Sequence, residues 1–517
     1  MAKKRKLASP PAQQLTDKAK MSTIDLSILI TILLTLAIAP IIVHMAFIDH
    51  ISPHITGTTI DAGKAAEFFS YYQMLVTIIG AVIVLGLFLY KLIMQKYELP
   101  ASYINIFVGA LFLLIALSGA FAQYKTLSLF GQYDQHEGTL SYLAYLLLFF
   151  VTANLTYPTK QIKWFFYALY PLILINAALG LVYFYGINIL HSQFFYSIIV
   201  SSDLTGKLSP SSYISSTLSN PDFVSGIAGV LTLMFLTKAI LDTTLARRIV
   251  SGVVALLCFA IIITSFATSG FFTLVVLSPV VIIVMLLNKQ RKAGIITAGV
   301  TLVCFVLLFS IISSHDQRVW NKSMGFFLGN RNAVSSTAAP KPAAPAQPSV
   351  AQPQASLPEF NLPPQKWAAG TGRAYIWLKT AQLIEKKPIL GYGMDTLTYT
   401  FPQDDPTKAS GIYDPNVVVD KPHDMYLDFA YGAGVFALMA FLLLIFRHIW
   451  AFGKQFTTPL CGERAALVTT LFVGWLAFLV QALFNDPTTG TSVIFWILFG
   501  IGVSVVEKAP SEKVKNN

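Results

Sequence analysis

Charge is what this chain has least of. Only 12% of its 517 residues are Asp, Glu, Lys or Arg, where a soluble domain carries about 25%. That scarcity excludes a water-soluble globular protein. With 55% hydrophobic residues and a mean hydropathy of +0.63, the chain is an integral membrane protein. Cysteine is almost missing too. Cys258 and Cys304 lie inside apolar runs and Cys461 in a short polar loop, so neither a disulfide framework nor a thiolate metal site can be built. No H-E-x-x-H, D-x-D, P-loop or G-x-G-x-x-G occurs, and no metal or other cofactor is expected. The centres of the apolar runs are nearly free of ionisable residues. A proton-coupled carrier needs such residues there.

What is present is length. Twelve apolar runs approach or exceed the roughly 20 residues that span a bilayer: 24–47, 70–90, 104–121, 140–157, 164–190, 221–238, 249–267, 270–287, 294–313, 425–446, 465–483 and 491–506. The seventh and eighth form one stretch too long for a single span, divided by Thr264, Ser265, Thr268, Ser269 and Gly270, and they predict a tight hairpin. The basic M-A-K-K-R-K start is followed by a run longer than a signal-peptide core of about 7–15 residues, and it reads as a retained first helix. With the N-terminus in the cytoplasm, the inside segments hold 22 Lys and Arg against 7 acidic residues, and the outside segments 14 against 18. Every short inside loop is basic, as the positive-inside rule requires. The net charge of +11 therefore reflects topology, and no nucleic-acid partner is expected. The predicted organisation is all-α and polytopic. It comprises a cytoplasmic tail at 1–23, nine helices over 24–313, a long outer loop at 314–424, three helices over 425–506 and a cytoplasmic tail at 507–517.

The outer loop divides by composition. Residues 335–358 are rich in Ala, Pro, Gln and Ser, cannot bury apolar surface, and read as a disordered or extended insert. Residues 367–388 have helical periodicity, with Trp377, Thr380, Ala381 and Ile384 on one face. Pro388 ends this helix, and Gly391 and Gly393 turn the chain. An amphipathic helix lying on the outer membrane face is expected.

Several residues at this face could carry chemistry. His423 heads the tenth run and is suited to general-base work, since its pKa lies near neutrality; the alternative is a polar residue at a helix start, capped by Asp424 or Asp420. Arg373 could clamp a diphosphate with its planar fork of donors, or meet lipid phosphates. Gln132, Asp134, His136 and Glu137 cluster in one short outer loop and form either a sugar site or a solvated turn. Asn220, with Pro221 and Asp222, is either an N-cap or a ligand contact.

Three patches taken in order resemble the O-antigen ligase and polymerase superfamily of bacterial membrane glycosyltransferases. They are S-T-L-S-N-P-D-F at 216–223, G-R-A-Y-I-W with K-K-P-I-L-G-Y-G at 372–393, and H-D-M-Y-L-D-F-A-Y-G-A-G-V-F at 423–436. The resemblance covers roughly residues 100–506. It implies a metal-independent, GT-C-like fold in the bacterial plasma membrane with an extracytoplasmic site. The implied donor is an undecaprenyl-diphosphate-linked glycan. The implied acceptor is a hydroxyl of a glycolipid, a glycan or a protein. Arg373 would then hold the donor diphosphate, and His423 would act at the acceptor hydroxyl or the leaving diphosphate. Trp377, Tyr392, Asp424 and Tyr426 fall within the matching patches and become candidate substrate contacts.

The chain departs from the pattern in places. The family often has Ser-Arg-Gly where this sequence has Thr268-Ser269-Gly270, so a second diphosphate arginine is missing; Arg318, Arg331 and Lys207 are the candidate replacements. Asp424 stands where the family has Asn, and Tyr431 where it often has an acidic residue. Repeat-unit polymerase and protein O-oligosaccharyltransferase are alternatives within the superfamily. A glycolipid flippase and a non-catalytic assembly subunit are alternatives outside its chemistry. Deletion of 336–357 is expected to leave glycan transfer at the wild-type rate in membrane assays; loss of transfer would show that the insert does more than link.

Overall fold

The computed structural model describes residues 21–50, 63–200, 216–288, 290–327, 372–410, 412, 417–455 and 462–507. The insert at 335–358, Trp367, Lys207 and Arg331 lie outside the described residues. Fifteen helices matter here: α1 (Thr23–Ile38), α2 (Ser70–Met94), α3 (Tyr103–Phe121), α4 (Thr139–Asn154), α5 (Thr159–Ala168), α6 (Tyr170–Phe184), α7 (Pro221–Leu241), α8 (Leu245–Thr264), α9 (Ser269–Leu287), α10 (Arg291–His315), α11 (Arg373–Lys386), α12 (Met425–Ala433), α13 (Val435–Gln455), α14 (Gly462–Gln481) and α15 (Thr489–Glu507). Among the described residues eleven helical stretches are long and apolar enough to cross a membrane, α5 and α6 together making one. The shorter apolar α4 stands at the place of the fourth predicted run. The protein is an all-α polytopic membrane protein. One small sheet adds to that reading: β1 (Ala46–His50) pairs antiparallel with β2 (Gly63–Glu67) between α1 and α2, Ala46 opposite Glu67.

The helices are arranged around α15, which is wholly enclosed, and α7, which is nearly so. α10 shares the highest hydropathy of all spans yet is the least buried, its Val300, Leu302, Val303 and Val306 turned outward. Lipid tails are as apolar as Leu, so an outward apolar face needs no protein partner. Asn220 caps α7 by accepting from Asp222 N at 2.8 Å, and Pro221 opens its first turn. The N-cap reading of Asn220 therefore holds.

Two expectations are corrected. The tenth span does not begin at residue 425. Gly434 has φ +88, and a Cβ there would stand 2.0 Å from Ile389 O, so the chain breaks into the short α12 and a separate span, α13. His423 thus heads a nine-residue helix above the bundle. The second correction concerns α11. Its buried face is Tyr375, Ile376, Thr380 and Leu383, not the predicted stripe of Trp377, Thr380, Ala381 and Ile384. Tyr375, Ile376 and Leu383 join Leu397, Phe401, Val419 and Tyr431 in a separate small core. Protein packing, which a periodicity count does not see, chooses the face.

Candidate active site

The site is built on five residues in a row, Asp420-Lys421-Pro422-His423-Asp424. Pro422 disfavours a helical Lys421, and His423 takes a left-handed φ of +54, so the segment stays out of α12. Each residue is tied to a different partner. Asp420 Oδ2 accepts from Gln135 Nε2 at 2.7 Å. Lys421 Nζ lies 3.1 Å from Asp395 Oδ1, both side chains being essentially inaccessible. Pro422 O accepts from Trp377 Nε1 of α11 at 2.9 Å. His423 Nδ1 hydrogen-bonds to Asp486 Oδ2, in the turn between α14 and α15. Asp424 Oδ1 accepts from Tyr426 N and Leu427 N at 2.8 and 3.0 Å and caps α12. Five tethers on five residues fix His423 in a backbone state that a free chain rarely adopts.

Asp395 is the knot behind this segment. It too has a positive φ, +60. Its Oδ2 accepts from Gln132 N at 2.7 Å and Glu137 N at 3.2 Å, and so ties the loop between α3 and α4 to Lys421. The turn carrying Asp395 is itself held against the end of α12: Tyr392 N donates to Tyr431 O at 3.0 Å and Gly393 N to Gly432 O at 2.9 Å.

Charge follows from burial. The Asp486 carboxylate pushes the His423 imidazole up to about 8, against the opposing effect of burial. Burial alone would raise Asp486, but His423, Lys421 and Arg373 hold it below the usual carboxylate range. Burial pushes Asp134 up to about 7 and Glu137 up to about 8, and it lowers His136 to about 4. Lys421 stays raised despite burial because Asp395, Asp428, Glu137 and Asp486 surround it. The arrangement leaves two groups that can act on a ligand. Asp486 takes the Nδ1 side of His423, which leaves Nε2 as a proton acceptor. Arg373, the first residue of α11, acts electrostatically on both His423 and Asp486, and its Nε is buried without a partner among the described residues. A guanidinium in that state can receive a phosphate.

The structure thus gathers Arg373, Trp377, His423, Asp424 and the 132–137 loop. It also corrects the solvated-turn alternative for that loop. Gln132, His136 and Glu137 are buried and engaged: Gln132 Oε1 accepts from Thr398 Oγ1 at 2.5 Å, His136 Nδ1 bonds to Ser70 Oγ at 2.8 Å, and Glu137 Oε1 accepts from Tyr145 OH at 2.9 Å. Asp134 is half-buried with Oδ1 unpartnered among the described residues. Tyr392 stacks on Tyr431 with ring centroids 5.1 Å apart, and Tyr426 OH donates to Leu479 O at 3.1 Å. Asp222 reaches the site through its backbone: its carbonyl accepts from Asn485 Nδ2 at 3.1 Å and from Ser269 Oγ at 2.9 Å. Arg318 is not gathered with His423. It pairs with Asp316 at 2.6 Å and lies 4.4 Å over the Phe266 ring in the α8–α9 hairpin.

Sequence reasoning missed Asp486, Asp395 and Lys421. A signal existed for the first. Asp486 is the single charged residue in the turn 482–488 between α14 and α15. Lys421 and Asp395 gave none, because their meaning lies in each other's burial.

Residues 253–442 match the family model described as O-antigen ligase. No curated protein matches the chain. The matched range holds the α8–α9 hairpin, Arg373 and His423 and ends before Asp486.

Proposed function

We propose that the chain, whose residues 253–442 match the O-antigen ligase family model, is a membrane glycan transferase that moves a glycan from an undecaprenyl-diphosphate-linked donor to an acceptor hydroxyl. We assign the reaction to the outer face of the plasma membrane, with both termini cytoplasmic and without a metal. The observation that carries this reading is the Asp486–His423 pair beside the unpartnered Nε of Arg373. His423 Nε2 takes the acceptor hydroxyl proton as that oxygen attacks the anomeric carbon. The bond to the diphosphate breaks, and Arg373 stabilises the charge that develops on the leaving group.

Two further features support the reading. An apolar groove of about 960 Å³ runs between α7, α8, α9 and α10, lined by Phe259, Phe271, Leu274, Phe305, Phe309 and Trp320. It suits a polyprenyl tail, and the N-terminus of α9 at its upper end leads to Asp222 and so to Asn485, the neighbour of Asp486. At the same hairpin Arg318 lies over Phe266, and Lys322 O accepts from Thr268 Oγ1 at 2.9 Å. Of the three candidate replacements for the missing arginine, Arg318 is the one described at this hairpin, where Asp316 holds its guanidinium. The 132–137 loop and Tyr426 support the site more from behind than by direct contact.

The test is transfer by purified protein from a polyprenyl-diphosphate glycan to candidate acceptors, paired with mass spectrometry of envelope glycans in a deletion strain. Accumulated full-length lipid-linked chains identify a ligase, and accumulated single repeats a polymerase. Labelled glycolipid that crosses liposomes with unchanged mass, and no transfer, would overturn the enzyme reading. The pH profile adds a sharper check. Only neutral His423 accepts a proton, so kcat/KM is expected to rise with pH and level off above about 8. Asp486→Asn removes the largest raising influence, so the acid limb is expected to move toward the ordinary histidine value of about 6.5, with a lower plateau. An unmoved limb would remove His423 from the role of base.

A further inference from the structure

Behind Asp486 lies a cavity of about 20 Å³, lined by Gly226, Ile227 and Val230 of α7 together with Gln481, Asn485, Asp486 and Thr491. Two of its lining residues carry buried polar atoms with no partner among the described residues, Gln481 Nε2 and Asp486 Oδ1. A water needs roughly 10–15 Å³ and two to four polar partners, and this space offers both. The other end of the Gln481 amide is bonded to Thr273 Oγ1. Thr273 also reaches Ser269 O at 3.0 Å, and one hydroxyl carries one proton. Either orientation of the Gln481 amide therefore leaves one polar end for the cavity, and a water can bond to that end while donating to Asp486 Oδ1. The space exists because residue 226 is glycine: a Cβ there would stand 2.6 Å from Gln481 Nε2 and 3.0 Å from Asn485 Nδ2.

We propose that Gln481 is a positioning residue for the Asp486–His423 pair, acting through one ordered water held in this cavity. Asp486 Oδ2 is fixed by His423 and Oδ1 by the water, so the carboxylate cannot rotate away from Nδ1. Through Thr273 the same linkage runs to the first turn of α9, at the upper end of the groove proposed for the donor's polyprenyl tail. Arrival of the donor and readiness of the base then share one hydrogen-bonded chain. This rests on the proposal that His423 is the general base.

The experiment compares Gln481→Leu, which removes the amide, with Gly226→Ala, which keeps the amide and fills the space. In both, kcat is expected to fall roughly 10- to 100-fold with KM for donor and acceptor unchanged. In both, the acid limb of the pH profile moves in the direction given by Asp486→Asn but by less. In the Asp486→Asn background neither change moves the limb further. A cryo-EM map of the full chain at high resolution shows the water between Gln481 and Asp486. If Asp486→Asn moves the limb while Gln481→Leu and Gly226→Ala leave it at the wild-type position, the inference is overturned and the general-base reading stands, whatever happens to yield. If Asp486→Asn itself leaves the limb in place, both fall together.

Discussion

Replacing His423 by Ala is expected to lower glycan transfer by a factor on the order of 10²–10⁴, with normal expression and membrane insertion. The size follows from what the residue does in the proposed step. Without Nε2 the acceptor hydroxyl must lose its proton to water while attacking a carbon at a crowded membrane surface. The fold should tolerate the change, since the imidazole is about one-third exposed and bonds mainly to Asp486. Arg373→Ala is expected to fall comparably, because the developing diphosphate charge loses its fixed counterpart. Arg373→Lys should recover little, as an ammonium cannot present a planar fork. The measurement is initial-rate transfer by membranes matched for protein content. Wild-type rates in both alanine variants would sink the assignment of this site.

Lys421→Met should be the most damaging single change to stability. Lys421 and Asp395 are both inaccessible and 3.1 Å apart, and Asp428, Glu137 and Asp486 also face the ammonium. Removing one member of a buried pair leaves an uncompensated charge and costs about 3–5 kcal/mol. Replacing both members, Lys421→Met with Asp395→Asn, should recover part of that loss, since the remaining Asn can still accept a backbone N–H from the 132–137 loop. Thermal unfolding in detergent across the double-mutant cycle measures the coupling. A double variant no more stable than Lys421→Met would mean that the pair is not what holds the His423 segment down.

Membrane spans were legible because the bilayer imposes length and apolarity on each helix separately. The tight hairpin before Ser269, the cap at Asn220 and the turn at Gly391 and Gly393 were legible for the same reason: each is settled within a few residues. Rank within the bundle was not. α10, among the most apolar spans, lies at the edge, while the enclosed α15 is less apolar, because lipid and protein interior select for similar composition.

The candidate site divides along the same line. Sequence by itself determined that this is an all-α membrane protein, and that the candidate residues Arg373 and His423 fall in polar segments between spans. Only the tertiary structure decided that His423 is paired with Asp486, 63 residues away, and that a buried Lys421–Asp395 pair anchors it. It also decided that α11 turns Tyr375 rather than Trp377 inward, leaving Trp377 to hold Pro422. A residue's own type and neighbours fix what it can do. Burial and partners brought from distant segments fix its charge state and orientation, and those depend on which loops the packed helices bring to one end of the bundle.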